Sequence, residues 1–335
     1  MSTTDKAGTG KAKGGAAAAD APVPEMTVRR KVTVRTLHEK YERGAPIAML
    51  TAYDYPTARL VDAAGVDAIL VGDSLAMVVL GHDNTLSVTM DEMLHHCRAV
   101  ARGADSSLLI GDMPFMSYQA DTVEAVRNAG RFLGEGGMDA VKLEGGQVVA
   151  DTVRAIVAAG IPVMGHIGLT PQSVNALGGW RVQGKTAESA AALVRDALAL
   201  ERAGCFAIVL ESMPDRVAAH ITERLTVPTI GIGAGRAVSG QVLVLHDMIG
   251  LFDQFTPKFV RRYADVAHTI REAVGVYRDD VAAGRFPGDE NAYTMSDEEF
   301  AEFLALESRP QKRRWPRGDP SDDGWETAAS MPAAR

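Results

Sequence analysis

Six residues that could perform acid–base or metal chemistry stand inside short apolar segments in the middle of the chain. Burying a charged side chain among apolar neighbours is costly unless the charge is paired or binds a metal. Three of the six, Asp73, Asp112 and Glu144, offer oxygen ligands with no cysteine beside them. Such a set suits a hard cation, Mg²⁺ before others, so we predict a Mg²⁺ site. The other three residues are Lys142, His166 and Glu211.

Two of these residues add chemistry to the predicted metal site. Lys142 stands two positions before Glu144, so both side chains point to the same side of a strand. Beside a metal, Lys142 suits an anionic substrate oxygen or a developing enolate. Glu211, outside the group of three carboxylates, suits a general base whose pKa is tuned by burial. Together these groups predict abstraction of a proton next to a carbonyl group.

Structural roles compete with these functional ones. An ion-pair network between Lys142 and the three carboxylates is the alternative to the metal site. His166 is alternatively a core histidine that is bonded to the backbone, and Asp54 is most simply a helix cap. The glycines of residues 231–235 (GIGAG) fit either a phosphate-binding loop or a tight turn after a strand.

The elements that must position these residues repeat one pattern, an apolar run followed by a segment of helical period. The runs are continuously apolar, as in parallel strands buried on both faces. Several of the helical segments begin with capping signals, such as Thr-Met-Asp-Glu at 89–92. We therefore predict a (β/α)₈ TIM barrel with its site at the carboxyl ends of the strands. The eight runs are 47–52, 68–73, 108–113, 140–145, 162–168, 206–212, 228–235 and 242–247.

Composition excludes several classes of protein. The chain has 335 residues, of which 46% are hydrophobic and 23% charged, with a net charge of −8 and no basic stripe. The negative net charge and the absence of a basic stripe argue against nucleic acid as the main partner. No apolar run approaches the roughly 20 residues of a membrane span, and no signal peptide is visible, which predicts a cytoplasmic protein. Cys97 and Cys205 are too few and too far apart for a disulfide framework or a zinc site.

The two ends of the chain differ from its middle. Residues 1–26 are poor in apolar side chains and are predicted to be a disordered extension, which leaves 27–295 for the catalytic barrel. Residues 296–335 are predicted to be a C-terminal extension. Its segment 296–306 (SDEEFAEFLAL) fits a short capped helix that docks on a neighbouring subunit, and a free tail is the alternative.

Five strings of this sequence closely resemble the ketopantoate hydroxymethyltransferase family. They are LVGDSLAMVVLGHDNT (70–85), DMPFMSY (112–118), AVKLEGG (140–146), GHIGLTPQSVNALGGWRVQGKT (165–186) and FAIVLESMP (206–214). The resemblance runs from about Val32 to Tyr293. It implies transfer of a hydroxymethyl unit from 5,10-methylenetetrahydrofolate to 3-methyl-2-oxobutanoate through a Mg²⁺-stabilised enolate. The product is 2-dehydropantoate, on the first step towards pantothenate and coenzyme A.

The same resemblance implies roles for individual residues and a homo-oligomer, commonly a decamer. Asp73 and Asp112 match the direct metal ligands of the family, and Glu144 matches its third acidic group, which reaches the metal directly or through water. Glu211 matches the proton acceptor of the family. His166 matches an active-site histidine of the family. The residues of the family that contact the oxo acid correspond here to Asp73, Ser74, Asp112 and Lys142.

The sequence departs from the family pattern near its seventh predicted strand, and two other functions compete with hydroxymethyl transfer. Ser239 stands where the family has an acidic residue just past a strand end, so any role of residues 236–240 in folate binding or subunit contacts is open. One rival is an isocitrate-lyase-like or phosphoenolpyruvate-mutase-like barrel, and the other is an inactive scaffold. The string GHIGLTPQSVNALGGW (165–180) favours the hydroxymethyltransferase. Mn²⁺ and Co²⁺ remain alternatives to Mg²⁺.

Overall fold

The computed structural model describes residues 29–308. The predicted N-terminal extension 1–26 and most of the predicted C-terminal extension, residues 309–335, lie outside the described residues. The chain divides into two compact units, Met1–Ile270 and Arg271–Arg335. The first unit contains the barrel, and the described part of the second is helical over much of its length.

Eight parallel strands, paired in chain order, form a closed barrel, which confirms the predicted TIM barrel. The eighth strand begins at Gly240 rather than at 242 and ends at Leu243, because a short helix begins at Leu245. The strands are β1 Ile47–Thr51, β2 Ala68–Val71, β3 Leu108–Asp112, β4 Ala140–Glu144, β5 Val163–Gly168, β6 Ala207–Glu211, β7 Thr229–Ile232 and β8 Gly240–Leu243.

Several of the helices begin at capping signals that the sequence contains. Asp54 caps the helix that begins at Tyr55 by accepting a hydrogen bond from the backbone N–H of Thr57 at 2.8 Å, and Thr89 forms a capping box with Glu92. None of the helices within 29–308 is long and apolar enough to cross a membrane. They are α1 Val34–Glu42, α2 Tyr55–Ala63, α3 Leu75–Val78, α4 Met90–Ala101, α5 Thr122–Gly134, α6 Ala150–Ala158, α7 Ala187–Ala203, α8 Asp215–Arg224, α9 Leu245–Met248, α10 Val266–Ala282 and α11 Asp297–Glu307.

The strands divide the core into two layers, because successive side chains of a strand point to opposite faces. One set, such as Ile69 and Leu109, packs in a cluster with side chains of the surrounding helices. The alternate set, such as Ile110 and Met164, forms the inner cluster of the barrel. On β3, Ile110 points into the barrel, and Asp112, two residues later, therefore points into the barrel as well.

The connection from β7 to β8 has no helix. Residues 233–239 alone join the carboxyl end of β7 to the amino end of β8. A Cβ on Gly233 would lie 2.7 Å from the Phe259 ring, and one on Gly235 would lie 2.5 Å from Cβ of Asp215. Both glycines have positive φ angles, so this geometry favours the tight turn over the phosphate loop.

The placement of Ser239 corrects the sequence analysis. Ser239 directly precedes β8, and its Oγ accepts a hydrogen bond from the backbone N–H of Thr229, at the start of β7. It therefore lies at the amino end of the barrel rather than past a carboxyl end. The reason is the short connection, which returns to the amino end within seven residues.

Candidate active site

The barrel register brings the six candidate residues to the carboxyl ends of five neighbouring strands. Asp112 on β3 pairs with Lys142 on β4, Glu144 pairs with His166 on β5, and Gly168 pairs with Glu211 on β6. Along its strand, each of these side chains lies an even number of residues from a member of the inner cluster, so it points into the barrel. Asp73 completes the group just after β2, and all six line one cavity of about 600 Å³. Five of the six are buried, and Glu211 is slightly more open to the cavity.

Lys142 lies between acidic neighbours. Its Nζ is 2.9 Å from Oδ1 of Asp112 and 3.1 Å from Nδ1 of His166. Burial disfavours the charged amine, but the charges of Asp112, Glu144 and Asp73 outweigh burial and hold the pKa of Lys142 above its ordinary value. Lys142 is therefore a fixed positive charge inside the barrel.

His166 joins two carboxylates. Its Nδ1 lies 3.5 Å from Oε1 of Glu144, and its Nε2 lies 3.1 Å from Oε2 of Glu211. Burial and the charge of Lys142 both oppose protonation, yet the neighbouring carboxylates of Glu144 and Glu211 raise the pKa of His166 to about 9. His166 thus contacts charged side chains rather than the backbone partner of the structural alternative.

The carboxylates of β2 and β3 are held in an environment short of positive charge. The backbone N–H of Asp73 donates to Oδ2 of Asp112 at 3.1 Å. Burial, followed by the charge of Glu144, raises the pKa of Asp73 to about 6. Burial also raises the pKa of Asp112 to about 7, although Lys142 opposes the shift. These shifts are expected where carboxylates outnumber the cations that face them.

Gln172, which the sequence analysis did not single out, connects the acidic side chains. Its Nε2 donates to Oδ2 of Asp73 and to the carbonyl oxygen of Met113, both at 2.9 Å. Its backbone N–H donates to Oε2 of Glu144 at 3.0 Å, and its Oε1 accepts from the hydroxyl of Tyr118 at 2.7 Å. Gln172 carries no charge and lies in a single 3₁₀ turn, Pro171–Ser173, after β5, so the only sequence signal was its place in the string 165–186.

Backbone geometry and a second hydroxyl also shape the site. Ser74 Oγ lies 2.8 Å from the buried hydroxyl of Tyr53, and Ser74 lines the cavity. Ser212, directly after Glu211, has a φ angle of +46°. Non-glycine residues adopt this left-handed conformation rarely, and such strain is concentrated at functional sites.

The three carboxylates offer the oxygen ligands that a hard cation prefers, although their oxygens do not surround a single point in this structure. Within residues 29–308, no three His, Cys, Asp or Glu side chains are positioned as a ready metal site. However, Oδ1 of Asp112 accepts no well-directed hydrogen bond although Nζ of Lys142 lies 2.9 Å away. An all-oxygen set with surplus negative charge is what Mg²⁺ binds.

A closed parallel barrel with buried acidic residues at the carboxyl ends of its strands defines a TIM-barrel enzyme. The fold is similar to that of phosphoenolpyruvate phosphomutase from Streptomyces platensis subsp. rosaceus, with a TM-score of 0.53, 16% identity, and 83% of this chain and 99% of that chain covered. It is also similar to a phosphonopyruvate hydrolase solved with oxalate and Mg²⁺, with a TM-score of 0.50 and 17% identity over the same shares of the two chains. These likenesses show the fold alone.

Sequence comparison identifies the family. The profile described as Ketopantoate hydroxymethyltransferase matches residues 31–289. The 3-methyl-2-oxobutanoate hydroxymethyltransferase of Oleidesulfovibrio alaskensis is 60% identical over 253 residues, which cover 76% of this chain and 88% of that protein. The protein of the same description from Dehalococcoides mccartyi strain 195 is 55% identical over 281 residues, 84% of this chain and all of that protein. The chain belongs to the ketopantoate hydroxymethyltransferase family, which confirms the resemblance.

Proposed function

We propose that Glu211 is the base and Lys142 the anion-binding group of a hydroxymethyl transfer to 3-methyl-2-oxobutanoate. The family assigns the reaction: the activity of the chain is that of a 3-methyl-2-oxobutanoate hydroxymethyltransferase in pantothenate biosynthesis. In this reaction 5,10-methylenetetrahydrofolate supplies the carbon, water supplies the hydroxyl oxygen, and tetrahydrofolate is released.

The position of Glu211 is the observation that supports the base most directly. Glu211 lies apart from Asp73, Asp112 and Glu144 on the far side of His166, and it is the most open of the acidic residues to the cavity. Oε2 of Glu211 lies 3.1 Å from Nε2 of His166, although the two atoms form no well-directed hydrogen bond, and Oε1 is the oxygen that would take the C3 proton of the oxo acid. A general base held in this way contributes about 10²- to 10⁴-fold to a proton transfer.

Lys142 and a divalent cation would stabilise the charge that this deprotonation creates. Lys142 places a buried positive charge among the strand ends, where the oxygen on C2 of the oxo acid becomes negative. Asp73, Asp112 and Glu144 would hold Mg²⁺, and Asp73 with Ser74 would position the oxo acid. When bound, Mg²⁺ acts as a Lewis acid that increases the acidity of the C3–H.

The test is exchange of the C3 proton of 3-methyl-2-oxobutanoate with D₂O, followed by NMR without folate. Glu211→Gln should lower the exchange rate by about 10²-fold or more, while Glu223→Gln, an exposed control on α8, should leave it unchanged. Exchange at the wild-type rate in Glu211→Gln would show that Glu211 is not the base. A chelator should stop exchange in the wild type, and exchange that persists with EDTA contradicts the metal site.

The assembly, location and domain limits remain proposals from the sequence. We propose a homo-oligomer, a decamer as the family resemblance implies, in the cytoplasm, with the catalytic barrel over 27–295. Sedimentation equilibrium of the full chain should give ten chain masses. A monomer mass would contradict the assembly.

A further inference from the structure

The cavity contains a second group of side chains that the proposed proton transfer does not use. The six acid–base residues form its floor, at the carboxyl ends of β2 to β6. The remaining lining is largely apolar and includes side chains from two loops, at 180–182 and 252–259, and from the end of β8. A volume of about 600 Å³ is in the range of pockets for drug-sized ligands and exceeds the needs of a five-carbon oxo acid. The cavity therefore has room for a second, larger molecule.

Asp247 is the polar group in this second part of the cavity. It lies in α9, just after β8, and its side chain lines the cavity with only 9% of the residue exposed. Its carboxylate makes no hydrogen bond or ion pair with any residue between 29 and 308, although the charge of Arg262 acts on it from a distance. A buried carboxylate without a donor is costly, so Asp247 is prepared to accept hydrogen bonds from a ligand.

Aromatic side chains line the same cavity as Asp247. Phe252, Phe259 and Trp180 all line the cavity, and the Phe259 ring packs where a Cβ on residue 233 would have to lie. Phe255 and Trp180 line the cavity and still expose 68% and 51% of their surfaces, so they lie at its mouth. Exposed aromatic rings at the mouth of an apolar pocket suit a flat, conjugated ligand that stacks on them.

Two cations stand at the same mouth. Arg181 and Lys258 line the cavity, are exposed, and form no ion pair within the described part of the chain. Positive charges at the rim of a pocket suit a ligand whose far end carries carboxylates. The second part of the cavity thus combines an inner carboxylate, aromatic walls and outer cations.

We propose that this part of the cavity is the folate subsite, and that Asp247 binds the pyrimidine edge of the pterin. That edge presents the 2-amino group and N3–H side by side, and a carboxylate accepts such a pair of donors through both oxygens. The pterin and aminobenzoyl rings lie against the aromatic walls, and the glutamate carboxylates reach Arg181 and Lys258. This inference rests on the proposed function, because it takes the hydroxymethyl donor as the second molecule.

The first experiment measures binding of tetrahydrofolate by calorimetry under anaerobic conditions. Asp247→Asn should raise the Kd by about 10- to 100-fold, the effect of losing hydrogen bonds to a charged acceptor. The matched control is Asp105→Asn, an exposed aspartate before β3 at the opposite end of the barrel, which should bind as the wild type does. Proton exchange without folate shows in each variant that the acidic cluster is still assembled.

The second experiment separates the rim from the inner carboxylate. Lys258→Ala should weaken tetrahydrofolate, which has the glutamate carboxylates, but leave tetrahydropteroate, which lacks them, unaffected. Asp247→Asn should weaken both. Equal weakening of the two ligands by Lys258→Ala would contradict the proposed orientation.

The outcomes distinguish this inference from the proposed function. Tetrahydrofolate that binds equally well to wild type and Asp247→Asn overturns the subsite, as does a wild type that binds none. Tetrahydrofolate binding that depends on Asp247 in a protein without C3 proton exchange supports the subsite and contradicts the proposed base and metal.

Discussion

Carboxylates lie at both ends of the barrel, but their partners differ. At the amino end, before β2, both oxygens of Asp67 lie 2.7 Å from Nζ of Lys40, and Oδ2 also accepts from the backbone N–H of Ala48 at 2.8 Å. Before β4, Asp139 accepts from Lys31 and from the backbone of Leu109, each at 2.8 Å. Each of these carboxylates has its own cation and its own backbone donor.

The carboxyl end shows the opposite balance. There, Asp73, Asp112, Glu144 and Glu211 face two cationic groups, Lys142 and His166. Burial of this surplus raises the pKa of Asp73 and Asp112, to about 6 and about 7. The difference indicates that the amino end is built for stability and the carboxyl end for binding a cation or an anionic substrate, as in TIM barrels generally.

The largest effect is expected for Asp73→Asn at the carboxyl end. The variant should lose C3 proton exchange, yet the metal-free protein should gain about 1–2 kcal/mol in the free energy of unfolding, because a disfavoured buried charge is removed. Asn retains an oxygen that can accept from Gln172. Urea unfolding with EDTA measures this gain, and thermal unfolding with Mg²⁺ measures metal binding. An unchanged rise of Tm on adding Mg²⁺ would show that Asp73 is not a ligand.

Asp67→Ala at the amino end should change the free energy of unfolding in the opposite direction and destabilise the protein. It leaves Lys40 and the N–H of Ala48 without their acceptor, and we expect a loss of about 2–3 kcal/mol, less than for a fully buried pair because Lys40 is partly exposed. Activity of the folded fraction should not change. The matched variant Asp67→Asn keeps an acceptor for Ala48 and should lose less. Equal stability of wild type and Asp67→Ala would refute the comparison.

The smallest effect is expected for Asp62, which binds the segment before β3. Burial raises its pKa, but hydrogen bonds from Ser107, Ser106 and Asp105 outweigh burial and lower it below the ordinary value of 3.8. A lowered folded-state pKa stabilises the protein above pH 3.8, and this contribution is lost as the pH falls through the lower folded-state value.

Asp62→Asn should therefore cost about 1 kcal/mol at neutral pH, a modest figure because the side chain is partly solvated. The difference between variant and wild type should shrink towards zero in strong acid. Urea midpoints at pH 7 and near pH 3 provide the measurement. A difference of equal size at both pH values would show that the charge of Asp62 does not contribute.

The sequence predicts the barrel and the floor of its site well, for a physical reason. Strands buried on both faces must be continuously apolar, so a charged residue at the end of such a run, such as Asp112 or Glu211, is conspicuous. Alternation along a strand then fixes its direction, as for Lys142 and Glu144. The order of the strands around the barrel follows from right-handed crossovers.

Residues outside the strands could not be placed in this way. Gln172 lies in a single 3₁₀ turn of three residues, which is too short for a sequence period to give its direction. Asp247 falls at the end of the run 242–247, which was wrongly predicted as strand throughout. Tertiary contacts decide the change to helix: Leu245 is buried, and its backbone N–H donates to Oγ1 of Thr51 at 3.0 Å. Such contacts join residues almost 200 positions apart and leave no local pattern.

The pairing of the first strand with the last has a consequence for biosynthesis. Ile47 pairs with Gly240, so β1 keeps an unpaired edge until β8 has been made. At about 5–20 residues per second, a ribosome needs on the order of ten seconds or more to synthesise that stretch. During this interval the nascent chain exposes open strand edges, which pair readily with other chains. Chaperone protection should therefore matter most before residue 243 emerges and much less once the barrel has closed.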